Sequence, residues 1–398
     1  MKRRDAVLER APAAIDGPEL EAKLDRMRSE LSTAMAGGIL CTQEGALRWL
    51  TGVRNQIIDI APSDASPVQA LVLCRAGATE IVFVSSRIEM PRIRDQLPDV
   101  FAGLPGVSVS FATALPPLAA DILVPGSPAW TEVTGRIVRP LVGGLAGNQY
   151  AKLSWLASAA TAVLAQTARE IEPGMNGAEV RARTLGNLLS HDIDCNLLLV
   201  ALRGQEAHLH PLWDARYRIE KDCWVKLVTA ARLADMILSA TVMVKFGAKA
   251  SADQLASYHA LQEGAVEYAD CYRAGAAEAG IYTELGKRFE ALEKKHRIPG
   301  FAASAYAHHT GGPTSPIGNR DFLVEKDGTR RMFPWMQFAV NPLETRFLTK
   351  VEIQGIVQPD GPPHMLDISR FTPAGLLDFR TVTSANGTKA TIAEILQR

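Results

Sequence analysis

Apolar positions along the chain recur in two periods, and together they outline an alternation of helices and strands. From about Gly17 to Ala36 a Leu/Glu/Lys/Arg-rich stretch carries its apolar residues at helical spacing, and Gly38–Thr42 then reads as a strand. Short apolar runs at Val68–Cys74 and Ile81–Ser85, split by the turn Arg75-Ala76-Gly77, predict a hairpin. A helix over Ile88–Leu97, a strand at Val107–Phe111, a helix after Pro116 and a strand at Asp121–Val124 complete the expected N-terminal α/β unit, residues 1–145. The glycine-rich stretch Val142–Asn148 reads as a linker.

The remainder, residues 146–398, opens with a long alanine-rich helix over Tyr150–Ile171. Pro173-Gly174 breaks it, and a second helix follows from Glu179, with Asn176 and Glu179 forming a helix-start pattern. Strand-like blocks at Leu197–Leu202, Trp224–Ala230 and Met236–Val244 precede two further helices, about Ser251–Ala274 and Thr283–Lys295. The last third is strand-rich at Met336–Val340, Phe347–Val357 and Met365–Arg370. No internal repeat stands out in the residues themselves.

Composition narrows the classes of function. Forty-three basic and 43 acidic residues cancel, which gives no reason to expect a nucleic-acid or membrane partner. Five widely spaced cysteines without a C-x-x-C pair suit reduced thiols and a cytoplasmic location, and no apolar signal-peptide core follows the basic N-terminus. Cys195 and Cys223 read as small core residues, and His191-Asp192-x-Asp194 reads as a solvated loop at a helix end.

Candidate chemistry gathers around Ala307-His308-His309-Thr310-Gly311-Gly312, where glycines permit close backbone approach. His210-Pro211 lies upstream; Asn341-Pro342 and Glu352 lie downstream. In that order these motifs resemble the creatinase, prolidase and methionine aminopeptidase family, whose catalytic domain has the pita-bread fold. Leu47-Arg48-Trp49-Leu50-Thr51-Gly52 is similar to the strand that begins the N-terminal domain in that family, and Arg87–Arg92 to a segment of an aminopeptidase-P-like subgroup. The resemblance implies an α/β N-terminal domain, an α+β pita-bread C-terminal domain, and a homodimer acting on a small molecule.

Metal-dependent members of the family hold two divalent ions with two Asp, one His and two Glu, whose charges offset the ions while a bridging hydroxide acts as nucleophile. Counting eighteen residues on from His210 gives Val228, and eleven more gives Ser239, so both Asp positions are empty of carboxylate. Asp235 is the carboxylate nearby, in a presumed turn. His309, with His308 as an alternative, matches the ligand histidine; Asn341 stands where a Glu is needed, and Glu352 matches the final Glu. This donor set is too poor for a dinuclear site, so the reading is no metal and no cofactor.

Creatinase supplies the family's precedent for working without metal. On that pattern His210 is the base, with His309 and Glu352 as catalytic partners. Asn341, His308, Arg54 and Arg320 would contact substrate, Arg54 by reaching a neighbouring subunit's pocket. The sequence leaves two alternatives standing: a non-catalytic binding module, and a lyase or cyclase of a biosynthetic pathway. An ordinary Xaa-Pro metallopeptidase fits the residues less well.

Overall fold

The computed structural model describes residues 8–52, 65–75, 77–88, 90–97, 100–137, 148–205, 211, 214–306, 311–314, 324–347 and 349–398. Helix α1 (Gly17–Thr33) is capped by the Asp16 carboxylate, which accepts from the Glu19 amide, and it buries Leu20, Leu24, Met27 and Leu31. Strand β1 (Gly38–Gln43) leads directly into α2 (Glu44–Thr51). The Leu47–Thr51 run, expected as a strand, is therefore helical. Arg48 reaches back one turn to Glu44, the Thr51 hydroxyl donates to the Leu47 carbonyl, and Gly52 closes the helix at φ 70.

Strands β2 (Ala65–Arg75) and β3 (Ala78–Val84) form the predicted hairpin, followed by α3 (Met90–Gln96), α4 (Val100–Gly103), β4 (Val107–Ala112) and β5 (Ile122–Leu123). The five strands make one sheet in the order β4-β3-β2-β1-β5. The helix expected after Pro116 is absent. Instead α5 (Pro128–Ile137) follows β5, and its Trp130 indole donates to the Leu40 carbonyl.

From Asn148 onward the chain builds one layout twice. Helix α6 (Asn148–Glu170) is followed by α7 (Gly177–Leu189), which starts with the expected Asn176/Glu179 capping box. Strands β6 (Asp194–Ala201), β7 (Trp224–Leu233) and β8 (Met236–Lys245) come next. Helices α8 (Ala252–Ala269) and α9 (Glu278–His296) then repeat the helix pair. They are followed by α10 (Phe301–Tyr306), β9 (Gly312–Pro313), β10 (Gln337–Val340), β11 (Leu343–Glu344), β12 (Thr349–Lys350), β13 (Ile353–Ile356) and β14 (His364–Met365). A hairpin of β15 (Phe379–Thr383) and β16 (Lys389–Ala393) precedes β17 (Leu396–Gln397), which joins the first sheet in the order β17-β8-β7-β6. The second sheet runs β14-β13-β10-β9. The run Phe347–Val357, expected as one strand, is thus two, and Met365–Arg370 is strand only at its start.

Backbone hydrogen bonds reveal the repeat. Between the first two helices, Gly174 N–H donates to Ile219 O, Ile219 N–H to Met175 O, and Gly177 N–H to Tyr217 O. Between the second two, Gly275 N–H donates to Met332 O, Met332 N–H to Ala276 O, and Glu278 N–H to Arg330 O. Only the glycine with positive φ, Gly174 or Gly275, is common to both helix breaks, so residue identities conceal the duplication. Counting on from Ile219 and from Met332, each ninth residue is Val228 or Asn341, and eleven beyond these are Ser239 and Glu352.

Candidate functional site

Strand alternation decides what faces where. On β7, Val225, Leu227, Ala231 and Leu233 pack into the core beneath α6, as do Leu238, Ala240, Val242 and Val244 of β8. Phe338 and Val340 of β10, with Val351 and Ile353, pack beneath α8 and α9. The opposite, inner face therefore carries Lys226, Val228, Ala230 and Arg232 of β7, Ser239 and Thr241 of β8, Gln337 and Asn341, and Lys350, Glu352 and Gln354. Two glutamines join the halves of this face. Gln337 Nε2 donates to Ile237 O at 2.8 Å and to Gln354 Oε1 at 3.0 Å, and Gln354 Nε2 donates to Ser239 O at 2.8 Å.

Asn341 and Glu352 lie where regular pairing stops. The β10–β13 ladder ends at Val340 and Ile353, and pairing resumes at Leu343 and Lys350. Pro342 lacks an N–H to continue the ladder, and Val351 N–H instead reaches the Pro342 carbonyl at 3.2 Å. Asn341 Oδ1 is buried and meets no donor among the described residues. Glu352 Oε2 accepts from the Thr241 hydroxyl at 2.8 Å and sits 3.4 Å from the Lys350 ammonium. Thr241 itself pairs across the hairpin with Val228. Asn341 and Glu352 thus flank the last paired residues of the ladder, Val340 and Ile353, on neighbouring strands.

Two lysines were not anticipated. Lys226 and Lys350 are each about 95% buried on this face. Burial first, then the charge of Lys350, pushes the Lys226 amine down from its ordinary 10.5 to about 8, against the opposing pull of Glu352. The sequence held a signal for both. Lys226 shares strand parity with Val228, and Lys350 with Glu352, so a side chain at either position faces wherever a ligand carboxylate would.

Asp235, the nearby carboxylate, is committed elsewhere. It lies in the β7–β8 turn, fully buried, and accepts from Lys23 at 2.9 Å, from Lys152, and from Gln149 at 3.2 Å. Glu19 accepts from Lys152 at 2.8 Å and pairs with Lys23, which completes a quartet binding α1 and α6 to that turn. Burial would raise the Asp235 carboxyl, but the Lys152 and Lys23 ammoniums outweigh it and hold the group down at about 2. Likewise Asp194, from the His191 cluster, pairs with Arg48.

Arg54, His210, His308, His309 and Arg320 lie outside the described residues. Gly311, next in the glycine pair, is at φ 64, and a Cβ there would stand 2.6 Å from Ala339 O. Its bare backbone serves close packing against β10. Burial raises the Cys195 and Cys223 thiols, in keeping with their reading as small packing residues.

The donor set does not fit a pair of divalent ions. Val228 and Ser239 offer no carboxylate, Asn341 is neutral, and the charge of Glu352 is matched by Lys350. At the seam between β8 and β13, the void lined by Ser239, Thr241, Glu352 and Gln354 measures about 10 Å³, room for about one water. Among the described residues, no three His, Cys, Asp or Glu side chains are placed to hold a metal ion.

Comparison with solved structures returns Xaa-Pro dipeptidases, prolidases and aminopeptidase P consistently. The Xaa-Pro dipeptidase from Bacillus anthracis matches with TM-score 0.62 and 14% identity, over 95% of this chain and 100% of that one. A variant of Escherichia coli aminopeptidase P gives 0.63 and 12%, over 90% and 96%. Prolidase from Thermococcus sibiricus gives 0.62 and 12%, over 95% and 98%. No family model and no curated protein matches the sequence. The chain therefore has the pita-bread fold class with mixed α/β content, and at these identities the likeness establishes the fold. Among the described residues no helix is long and apolar enough to cross a membrane.

Proposed function

We propose that the chain is a metal-independent, creatinase-like enzyme acting on a C–N bond of a small amide, peptide or guanidine-like molecule by histidine acid/base chemistry. The observation that carries this reading is the state of Glu352, whose Oε2 is already engaged by Thr241 and Lys350 in a face without other carboxylates among the described residues. A lysine ammonium stands beside the carboxylate that a metallopeptidase would spend on an ion. Hydrolysis then falls to groups that move protons. His210 takes a proton from water or substrate, since an imidazole titrates close to neutrality, and His309 supplies a second hydrogen bond.

Asn341 is the substrate contact with the best support, because its buried Oδ1 meets no donor among the described residues, and a substrate N–H would supply one. His308, Arg54 and Arg320 complete the proposed substrate contacts. We also place a boundary between an N-terminal domain, 1–145, and a pita-bread domain, 146–398, in a cytoplasmic homodimer with substrate at the subunit boundary.

The test is a panel of amino acids, Xaa-Pro dipeptides and guanidino compounds, assayed by thermal shift and turnover with and without chelator. Turnover that survives chelation and disappears in His210→Gln, with the fold retained, is the expected result. Activity abolished by chelator and restored by Mn, Co or Zn would overturn it. A flat panel would move the assignment to a non-catalytic binding module.

A further inference from the structure

Lys226 occupies the centre of a cross-strand row, paired with Ala201 on β6 and Met243 on β8. Beside this row lies a cavity of about 180 Å³ that Lys226 itself lines. Its walls are apolar where Leu202, Trp224 and Met243 contribute, and polar at Arg203, Gln205 and Asp222. The charges at that rim are already spoken for: Arg203 pairs with Glu220, and Asp222 with Lys245. Lys226, about 95% buried, makes no hydrogen bond or ion pair among the described residues. A buried ammonium without an acceptor is costly, and the cost disappears when the nitrogen is neutral. An amine desolvated in an apolar pocket next to a second cation is the setting in which lysine becomes a nucleophile.

We propose that Lys226 is a nucleophilic lysine that condenses reversibly with the carbonyl carbon of a small aldehyde or ketone held in this cavity. Its Nζ lone pair forms the new C–N bond while the carbonyl π pair moves to oxygen, which takes up a proton. The resulting carbinolamine loses water, whose oxygen comes from the carbonyl and whose two hydrogens balance the two that the amine gives up. The product is an imine, and hydrolysis returns both partners without any oxidant or reductant. This inference does not depend on the hydrolytic reading, because it concerns a side chain that reading leaves unused.

The test treats the full-length protein with acetaldehyde and sodium cyanoborohydride, which delivers hydride to the imine carbon and fixes a secondary amine. Peptide mass spectrometry then locates the label. Half-conversion at Lys226 should come roughly 10-fold sooner at pH 8 than at the surface lysines, whose amines are almost wholly protonated there. The rate at Lys226 should level off above about pH 8. Lys226→Met should lose that label alone. Lys350→Met, as a second variant, should shift the Lys226 profile to higher pH. Label spread evenly over surface lysines, with no excess at Lys226 in the unaltered protein, would overturn the proposal. Repeating the labelling in His210→Gln separates the two readings, since imine formation should persist there when turnover is gone.

Discussion

Two buried ionic clusters flank strand β7, and they are built on opposite principles. At its turn end, Lys23 and Lys152 face Asp235 and Glu19, two charges of each sign, and Trp49 O and Ala14 O accept further hydrogen bonds from the two ammoniums. Toward its start, Lys226 and Lys350 share Glu352 as the carboxylate of the inner face among the described residues. The first cluster is balanced and saturated, and it fastens α1 and α6 to the β7–β8 turn. The second retains an amine that makes no hydrogen bond among the described residues, and a cavity beside it. Burial of charge is common to both, so burial does not mark a site. What separates structure from chemistry here is whether the donors and acceptors close on one another.

The largest effect should come from breaking the balanced cluster. Asp235→Ala leaves two buried ammoniums with one carboxylate, and should cost about 3–5 kcal/mol in denaturant unfolding. The same carboxyl sets an acid limit. Its folded value of about 2 lies below the ordinary 3.8, so its contribution is complete above the ordinary value and is lost as pH falls through about 2. Unfolding measured across that interval should show a slope that Asp235→Asn removes.

The unbalanced cluster should respond with the opposite sign. Lys226 binds its proton less tightly in the fold, at about 8, than the ordinary 10.5, so the unfolded chain holds more protons between those values. Stability should rise with pH across that window. Lys226→Met should abolish the rise and stabilise the protein by about 3 kcal/mol below pH 8, with the gain fading toward pH 10.5. A loss of stability at pH 7 in this variant would mean that the amine has a partner. Gln354→Leu, between the clusters, should cost about 2 kcal/mol, because it removes the hydrogen bonds that Gln354 makes to the Ser239 carbonyl and the Gln337 amide.

Local signals carried much of this architecture. The Asn176/Glu179 capping box, the β2–β3 hairpin and the β7 and β8 runs were legible because their determinants lie within a few residues of one another. Leu47–Thr51 misled because apolar residues around Trp49 fit a buried strand as well as a helix, and the deciding contact is Arg48 with Glu44 and Asp194. The duplicated layout was hidden because it is written in backbone hydrogen bonds, which constrain conformation and leave side chains free. At the site, Val228, Ser239, Asn341 and Glu352 were singled out by spacing alone. Lys226 and Lys350 were passed over because a lysine in an alternating strand ordinarily marks the solvent side, and only the assembled sheet shows that this side is enclosed.

The smallest expected effect is a null one, and it bears most directly on the comparison. A divalent ion that binds the fold at micromolar affinity would, at millimolar concentration, stabilise it by about 4 kcal/mol through linkage. Mn²⁺, Co²⁺ or Zn²⁺ added to this protein should give no such shift, because an ion would have to displace Thr241 and Lys350 from Glu352 and would find no second carboxylate among the described residues of this face. Restoring carboxylates in Val228→Asp/Ser239→Asp should change that only when Lys226→Met is added, since otherwise the new carboxylates have lysine ammoniums to pair with. A shift in the triple variant with none in the unaltered protein would show that the lysines hold a place that an ion could otherwise take. A shift in the unaltered protein would show that the second cluster gains its missing charge balance from a metal, and the distinction between the two clusters would fall.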